Sequence, residues 1–125
     1  MVQRILIVED EPDIVESLSF LMKQGGFEVS VARDGASALR CMESRPADLV
    51  LLDVMMPRCD GFEVCRAIRE NPSWADVRIV MLSARGREPD RRRGLELGAD
   101  DYIAKPFSTR AVVERVHELL AGPPG

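Results

Sequence analysis

Glu9 and Asp10 follow the apolar run Ile5-Leu6-Ile7-Val8, and Asp53 follows Leu49-Val50-Leu51-Leu52. Ser83 follows Ile79-Val80-Met81-Leu82, and Lys105 follows Tyr102-Ile103-Ala104. Every residue with obvious chemistry therefore ends a short apolar segment. Carboxylates, a hydroxyl and an ammonium gathered at one point outline a phosphoryl-transfer site, where a carboxylate serves as nucleophile and cations screen one anion as it approaches another. Parallel strands of a single sheet would gather them, because open α/β sheets bind ligands outside the carboxyl ends of their strands.

The runs are unbroken stretches of Ile, Val and Leu, the pattern of strands covered on both faces by helices. Helical stretches lie between them. After Glu11, Pro12 suits a first helical position, Ile14, Val15, Leu18, Leu21 and Met22 recur at helical spacing, and Gly25-Gly26 supplies a stop. Phe27, Val29 and Val31 alternate as a strand. Further helices are expected over 36–42, 61–69 and 90–97, the one over 61–69 with Val64, Ala67 and Ile68 inward. A last helix is expected over 108–120, with Ala111, Val112, Val116, Leu119 and Leu120 as its apolar stripe. Five β-α repeats with short right-handed crossovers give a doubly wound α/β sheet.

Composition bounds the reading. A chain of 125 residues with 46% hydrophobic content fits one domain with a sizeable core, here expected over 1–121, with 122–125 as a tail or the start of a linker. Met1 and an end just after the fifth helix fit a stand-alone domain, and Gly122-Pro123-Pro124-Gly125 fits a linker equally well. No apolar stretch reaches membrane-spanning length and no signal-peptide core opens the chain, so a soluble cytoplasmic protein is expected. Cys41, Cys59 and Cys65 are odd in number and lack C-x-x-C spacing, which points to reduced thiols. A net charge of -4 disfavours direct nucleic-acid binding. Arg85, Arg87, Arg91, Arg92 and Arg93 nevertheless crowd one region, either as a solvated helix face or as a docking surface for an acidic partner.

Plainer explanations stand beside the chemical ones. Glu9, Asp10 and Glu11 suit the start of a helix, where negative charge favours the dipole. Ser83 alone reads as a turn or cap and Tyr102 alone as core. Asp53 is harder to explain by packing, since an acid seldom ends so apolar a strand for that purpose. Of 17 basic residues only Lys23 and Lys105 are lysines, which makes the second mildly informative; Lys23 reads as solvated. His117 has no acidic partner at relay spacing and reads as a surface histidine.

The segments ILIVEDEP (5–12), LLDVMMP (51–57) with Asp60-Gly61, and GADDYIAKPF (98–107) resemble, in order and spacing, the receiver domain of two-component response regulators. The likeness runs from about Arg4 to Leu120. It implies a flavodoxin-like, five-stranded parallel sheet of order 2-1-3-4-5 with helices on both faces. It further implies that Asp53 is the phosphoacceptor, that Glu9, Asp10 and Asp53 with the backbone carbonyl of Met55 hold Mg2+, and that Lys105 and Ser83 bind the phosphoryl group. Ser83 and Tyr102 then form a switch, and the Lys105-Pro106 peptide is cis. Glu9 stands where many receivers carry aspartate, Ser83 where threonine is frequent, and Cys59 where many carry methionine.

The resemblance implies a sensor histidine kinase or phosphotransfer protein as donor, and an effector or a second copy as reader of the face formed by the fourth helix, fifth strand and fifth helix. It implies a switch with self-directed phosphotransfer and dephosphorylation, not a turnover enzyme, and no membrane partner. Two other classes compete with this reading. Haloacid-dehalogenase-like phosphatases carry D-x-D after the first strand, whereas here the nucleophile candidate ends the third. Flavodoxin-like binding modules use a hydroxyl- and glycine-rich phosphate loop, where Glu9-Asp10-Glu11 would repel a flavin phosphate.

Overall fold

The computed structural model describes residues 2–56, 59–83 and 88–121. Five strands, β1 (Arg4–Val8), β2 (Glu28–Ala32), β3 (Leu49–Asp53), β4 (Arg78–Ser83) and β5 (Asp101–Ala104), form one parallel sheet in the order β2-β1-β3-β4-β5. The helices are α1 (Pro12–Gln24), α2 (Gly35–Ser44), α3 (Gly61–Glu70), α4 (Glu88–Glu96) and α5 (Thr109–Leu120). A two-residue antiparallel ladder pairs Met55 with Asp60 and Met56 with Cys59. Pro57, Arg85, Arg87 and Gly122–Gly125 lie outside the described residues.

Alternation along the strands divides the core in two, because successive side chains of a strand point to opposite faces. Ile5, Ile7, Leu49 and Leu51 pack with Leu18 and Met22 of α1 and Val112 and Val116 of α5. Leu6, Val8, Val50 and Leu52 face the other way, toward Met42 of α2 and Val64 and Ile68 of α3. All five residues of β3 are buried, as the central strand of a doubly covered sheet must be.

Side-chain caps set several helix starts. Asp34 accepts a hydrogen bond from Ser37 N at 2.8 Å, Asp60 from Phe62 N at 2.9 Å and Ser108 from Ala111 N at 3.2 Å. Each satisfies an N–H that the helix itself leaves unpaired, worth about 1 kcal/mol. The expected elements all occur, with ends shifted: α2 begins a residue earlier and runs two residues further than the 36–42 pattern indicates, and α4 begins at Glu88. Ala111, expected in the α5 stripe, is exposed, and Val113 packs against the core instead. Among the described residues no helix is long and apolar enough to cross a membrane.

Candidate functional site

The parallel register delivers the strand ends to one edge. Val8 pairs with Leu52, Asp53 with Leu82 and Ser83 with Ala104, so the residues that follow β1, end β3 and β4, and follow β5 are neighbours. Lys105 N donates to Ser83 O, extending that register by one residue, and the Lys105-Pro106 peptide is cis, as the resemblance implies.

Here the side chains converge. Carboxylate oxygens of Glu9, Asp10 and Asp53 lie within 4.8 Å of one another. Lys105 Nζ stands 3.0 Å from Glu9 Oε1, 3.2 Å from Asp53 Oδ2 and 3.6 Å from Glu11 Oε1. Glu9 and Asp53 are buried, whereas Asp10 is half-buried and Glu11 exposed. Glu9 does not cap α1 through a later turn. Its Oε2 accepts from the N–H groups of Asp10 and Glu11 at 3.1 and 3.3 Å, which fixes the carboxylate at the strand end. Glu11 occupies the N-cap position without a side-chain hydrogen bond, so the capping explanation for the acids is not what the helix uses.

Electrostatics follow from this crowding. Burial, then the neighbouring Asp53, push the Glu9 carboxyl above its ordinary range, with Lys105 and the Glu11 N–H opposing. Burial pulls Lys105 down, but the carboxylates of Glu9 and Asp53 more than offset it, and the ammonium is held above its ordinary value. Three carboxylates facing one ammonium leave a surplus of negative charge in a partly dry site. All the donors are hard oxygens, which suits a magnesium ion that takes one or two carboxylates and keeps several waters. The residues therefore fit a divalent cation.

Ser83 is buried at the end of β4, placed beside Asp53 by the strand register. Tyr102 is buried in the α2–α4 face of the core. Met55, two residues past Asp53, pairs with Asp60. His117 is exposed, its ring 4.7 Å from that of Phe27, away from this edge. Arg91, Arg92 and Arg93 are exposed on α4.

Two participants were not singled out by sequence. In sequence Glu11 belongs to the acidic start of the first helix, and its approach to Lys105 depends on how the chain leaves β1. In sequence, Pro57 and Asp60-Gly61 are turn chemistry whether or not the site is functional. A Cβ built on Gly61 would lie 2.6 Å from Asp53 O and 2.7 Å from Val54 Cα, so α3 rests directly on the main chain of the central acid.

The chain folds as a parallel doubly wound domain carrying an acid cluster and a lysine at the carboxyl edge of its sheet, and its residues 5–117 match the family model for the response regulator receiver domain. The chain belongs to that family. It is 46% identical over 116 residues to the sensory transduction protein RegX3 of Mycolicibacterium smegmatis, covering 93% of this chain and 50% of that protein. It is 45% identical over 120 residues to the alkaline phosphatase synthesis transcriptional regulatory protein PhoP of Bacillus subtilis, covering 96% and 49%. The chain thus spans about half the length of these curated relatives. Among solved structures, the CheY-like response regulator receiver domain protein of Methanospirillum hungatei superposes with a TM-score of 0.89 at 27% identity, covering 97% of this chain and 95% of that one.

Proposed function

We propose that Asp53 accepts a phosphoryl group from the phosphohistidine of a sensor kinase or phosphotransfer protein, in a Mg2+-dependent reaction, and that this switches the α4-β5-α5 face. The observation that carries the reading is a buried carboxylate at the carboxyl end of the central strand, 3.2 Å from a lysine ammonium and within 4.8 Å of two further acids. An Asp53 carboxylate oxygen attacks phosphorus, the P–N bond breaks, and the electron pair leaves with the imidazole. Lys105 acts as a point charge on the phosphoryl oxygens and Ser83 donates a hydrogen bond to the same group. Glu9, Asp10, Asp53 and the Met55 carbonyl would hold Mg2+, which supplies charge neutralisation between the acid and the incoming phosphate. Later attack of water on the acyl phosphate returns Asp53 to its carboxylate. A groove of about 510 Å3 beside Lys105, lined by Ile14, Ser17, Pro106 and Phe107, gives the partner an approach. A cytoplasmic location accords with such a donor.

Incubating the protein with a small acyl phosphate and Mg2+ should add one phosphoryl group per chain, labile to hydroxylamine and base, and Asp53→Asn should abolish it. Label retained in Asp53→Asn, or label that is acid-labile like a phosphohistidine, removes the mechanism. The metal reading is checked separately. In a calorimetric Mg2+ titration, Asp10→Asn should lose most of the binding, at least about tenfold in affinity, roughly 1.4 kcal/mol. Equal affinity in both proteins would refute the assignment.

For the output, we propose a shift between two pre-existing states in which Ser83 and Tyr102 rearrange together and the face bearing Arg91 and Arg92 changes shape. An acidic effector surface or a second copy of the domain would read it. With beryllofluoride as phosphoryl mimic, amide shifts should change at Ser83, Tyr102 and along α4. Changes confined to the neighbourhood of Asp53 would sink this output reading.

A further inference from the structure

The proposed switch face is seated on side chains outside the acid cluster. Gly94 is buried on the inner side of α4. A Cβ built there would lie 2.8 Å from Met81 Sδ, 3.6 Å from Tyr102 Cδ2 and 3.8 Å from Phe62 Cε1. β4, β5 and α3 therefore each place one side chain under the same bare residue. Beside it, Arg93 lays its guanidinium over the Phe62 ring, with Cζ 4.3 Å from the centroid. At that distance the cation is attracted by the ring's negative face, and it joins α4 to α3.

Phe62 is also linked to Asp53 through the main chain. Its N–H donates to Asp60 Oδ1 at 2.9 Å, which fixes the first turn of α3. The residue before it, Gly61, donates its N–H to Val54 O at 3.2 Å and packs against Asp53 O and Val54 Cα with no room for a side chain. Backbone packed this tightly transmits displacement instead of absorbing it. A movement of Asp53 and Val54 must carry Gly61, and with it the ring on which Arg93 and Gly94 rest.

We propose that Phe62 is a positioning residue of the switch, coupling the Asp53 main chain to α4 through α3 and through its contacts with Arg93 and Gly94, by a route that does not pass through Ser83. This rests on Asp53 being the phosphoacceptor and α4 being part of the responding face. The differential contact the coupling requires is Arg93 on Phe62, made in the state described and altered in the other.

The test is an amide-shift comparison of the whole chain with and without beryllofluoride and Mg2+. It uses wild type, Phe62→Leu, Arg93→Gln, Arg93→Lys and Ser83→Ala, reading Val54 for loading, Tyr102 for the Ser83 route, and Leu95 and Glu96 for α4. Phe62→Leu and Arg93→Gln should keep the Val54 and Tyr102 responses and reduce the α4 response about twofold or more, the lower end of what coupled positions change. Arg93→Lys, which keeps a cation over the ring, should restore most of it. Ser83→Ala with the site loaded should keep a measurable α4 response. An undiminished α4 response in both Phe62→Leu and Arg93→Gln overturns the inference, as does complete loss of that response in Ser83→Ala. Should Phe62→Leu not fold, the surface variant Arg93→Gln decides. A wild type whose α4 amides ignore loading overturns the output reading itself and this inference with it, and wild type alone reveals that case.

Discussion

Replacing Lys105 with methionine is expected to lower stability by about 2–3 kcal/mol at neutral pH in metal-free buffer, because it strips the cation from two buried carboxylates. Lys105 Nζ lies 3.0 Å from Glu9 Oε1 and 3.2 Å from Asp53 Oδ2, and both acids are almost wholly out of water. Removing one member of a buried ion pair costs about 3–5 kcal/mol; the cost here falls at or just below the lower figure, because the site opens at the sheet edge and a carboxyl can take up a proton instead. Methionine keeps the length of the stem, so the loss reports charge more than packing.

The pH dependence has a definite sign. In the native state the Glu9 carboxyl is already raised above its ordinary value of 4.5 by burial and by Asp53, and loss of Lys105 removes an opposing influence and raises it further. A carboxyl raised by folding binds its proton more readily in the native state, so its contribution to stability is fully present below pH 4.5 and declines as pH rises through the folded value. The gap between wild type and Lys105→Met should therefore narrow as pH is lowered from 8 toward 5. It should also narrow with added Mg2+, which would stabilise both folded proteins by mass action but bind more tightly in the variant, where no ammonium competes for the carboxylates. Urea unfolding at several pH values, with and without metal, measures both. A gap that neither acid nor Mg2+ changes would mean that Lys105 contributes by packing, and the charge argument would fail.

The charge network around Lys105 lies beyond what sequence alone shows. The ends of β1, β3, β4 and β5 were legible because buried parallel strands are apolar throughout, so an acid, hydroxyl or lysine at the boundary is conspicuous. Asp53 after Leu52 is the clearest instance. The lysine beyond Ala104 is conspicuous too, but a place at a strand end rather than in the core makes it read as dispensable to the fold. Its half-buried position between Glu9 and Asp53 comes from the sheet order, a property of strands distant in the chain. Helix ends were blurred for a local reason: the cap at Asp34 works through a side-chain hydrogen bond to Ser37 N, while apolar periodicity is silent at positions that face water. Ala111 shows the limit of periodicity alone, since a small residue can sit on an exposed face at little cost. Gly61 was legible as a turn, not as a support for Asp53, because spacing carries no information on how closely a helix start approaches the strand before it.

Gly61→Ala is accordingly expected to damage the site more than its chemistry suggests. Alanine is favoured over glycine within a helix by about 0.8–1 kcal/mol, so α3 considered alone would gain. Against this, the added Cβ would meet Asp53 O at 2.6 Å and Val54 Cα at 2.7 Å, and both are backbone atoms that cannot rotate away. Overpacking in a close-packed interior typically costs about 1–3 kcal/mol, and a clash with two backbone atoms belongs at the upper end, so the net change should be a loss of about 2 kcal/mol or more. Part of that strain is relieved by moving the end of β3. Even a displacement of about 1 Å in a reacting group can lower a rate about a hundredfold, so phosphorylation from a small acyl phosphate should fall by roughly that factor even where the variant remains folded. Gly26→Ala provides the contrast. Its φ of +92° makes alanine strained there too, but among the described residues no atom beyond its chain neighbours lies within 4 Å of the added Cβ, and the position is far from Asp53. It should lose stability through backbone conformation and phosphorylate at the wild-type rate. Stability from urea unfolding and the rate of acyl-phosphate labelling, measured on the same preparations, separate the two effects. A Gly61→Ala protein that labels as fast as wild type would show that α3 can retreat without dragging Asp53, and the main-chain coupling between them would have to be abandoned.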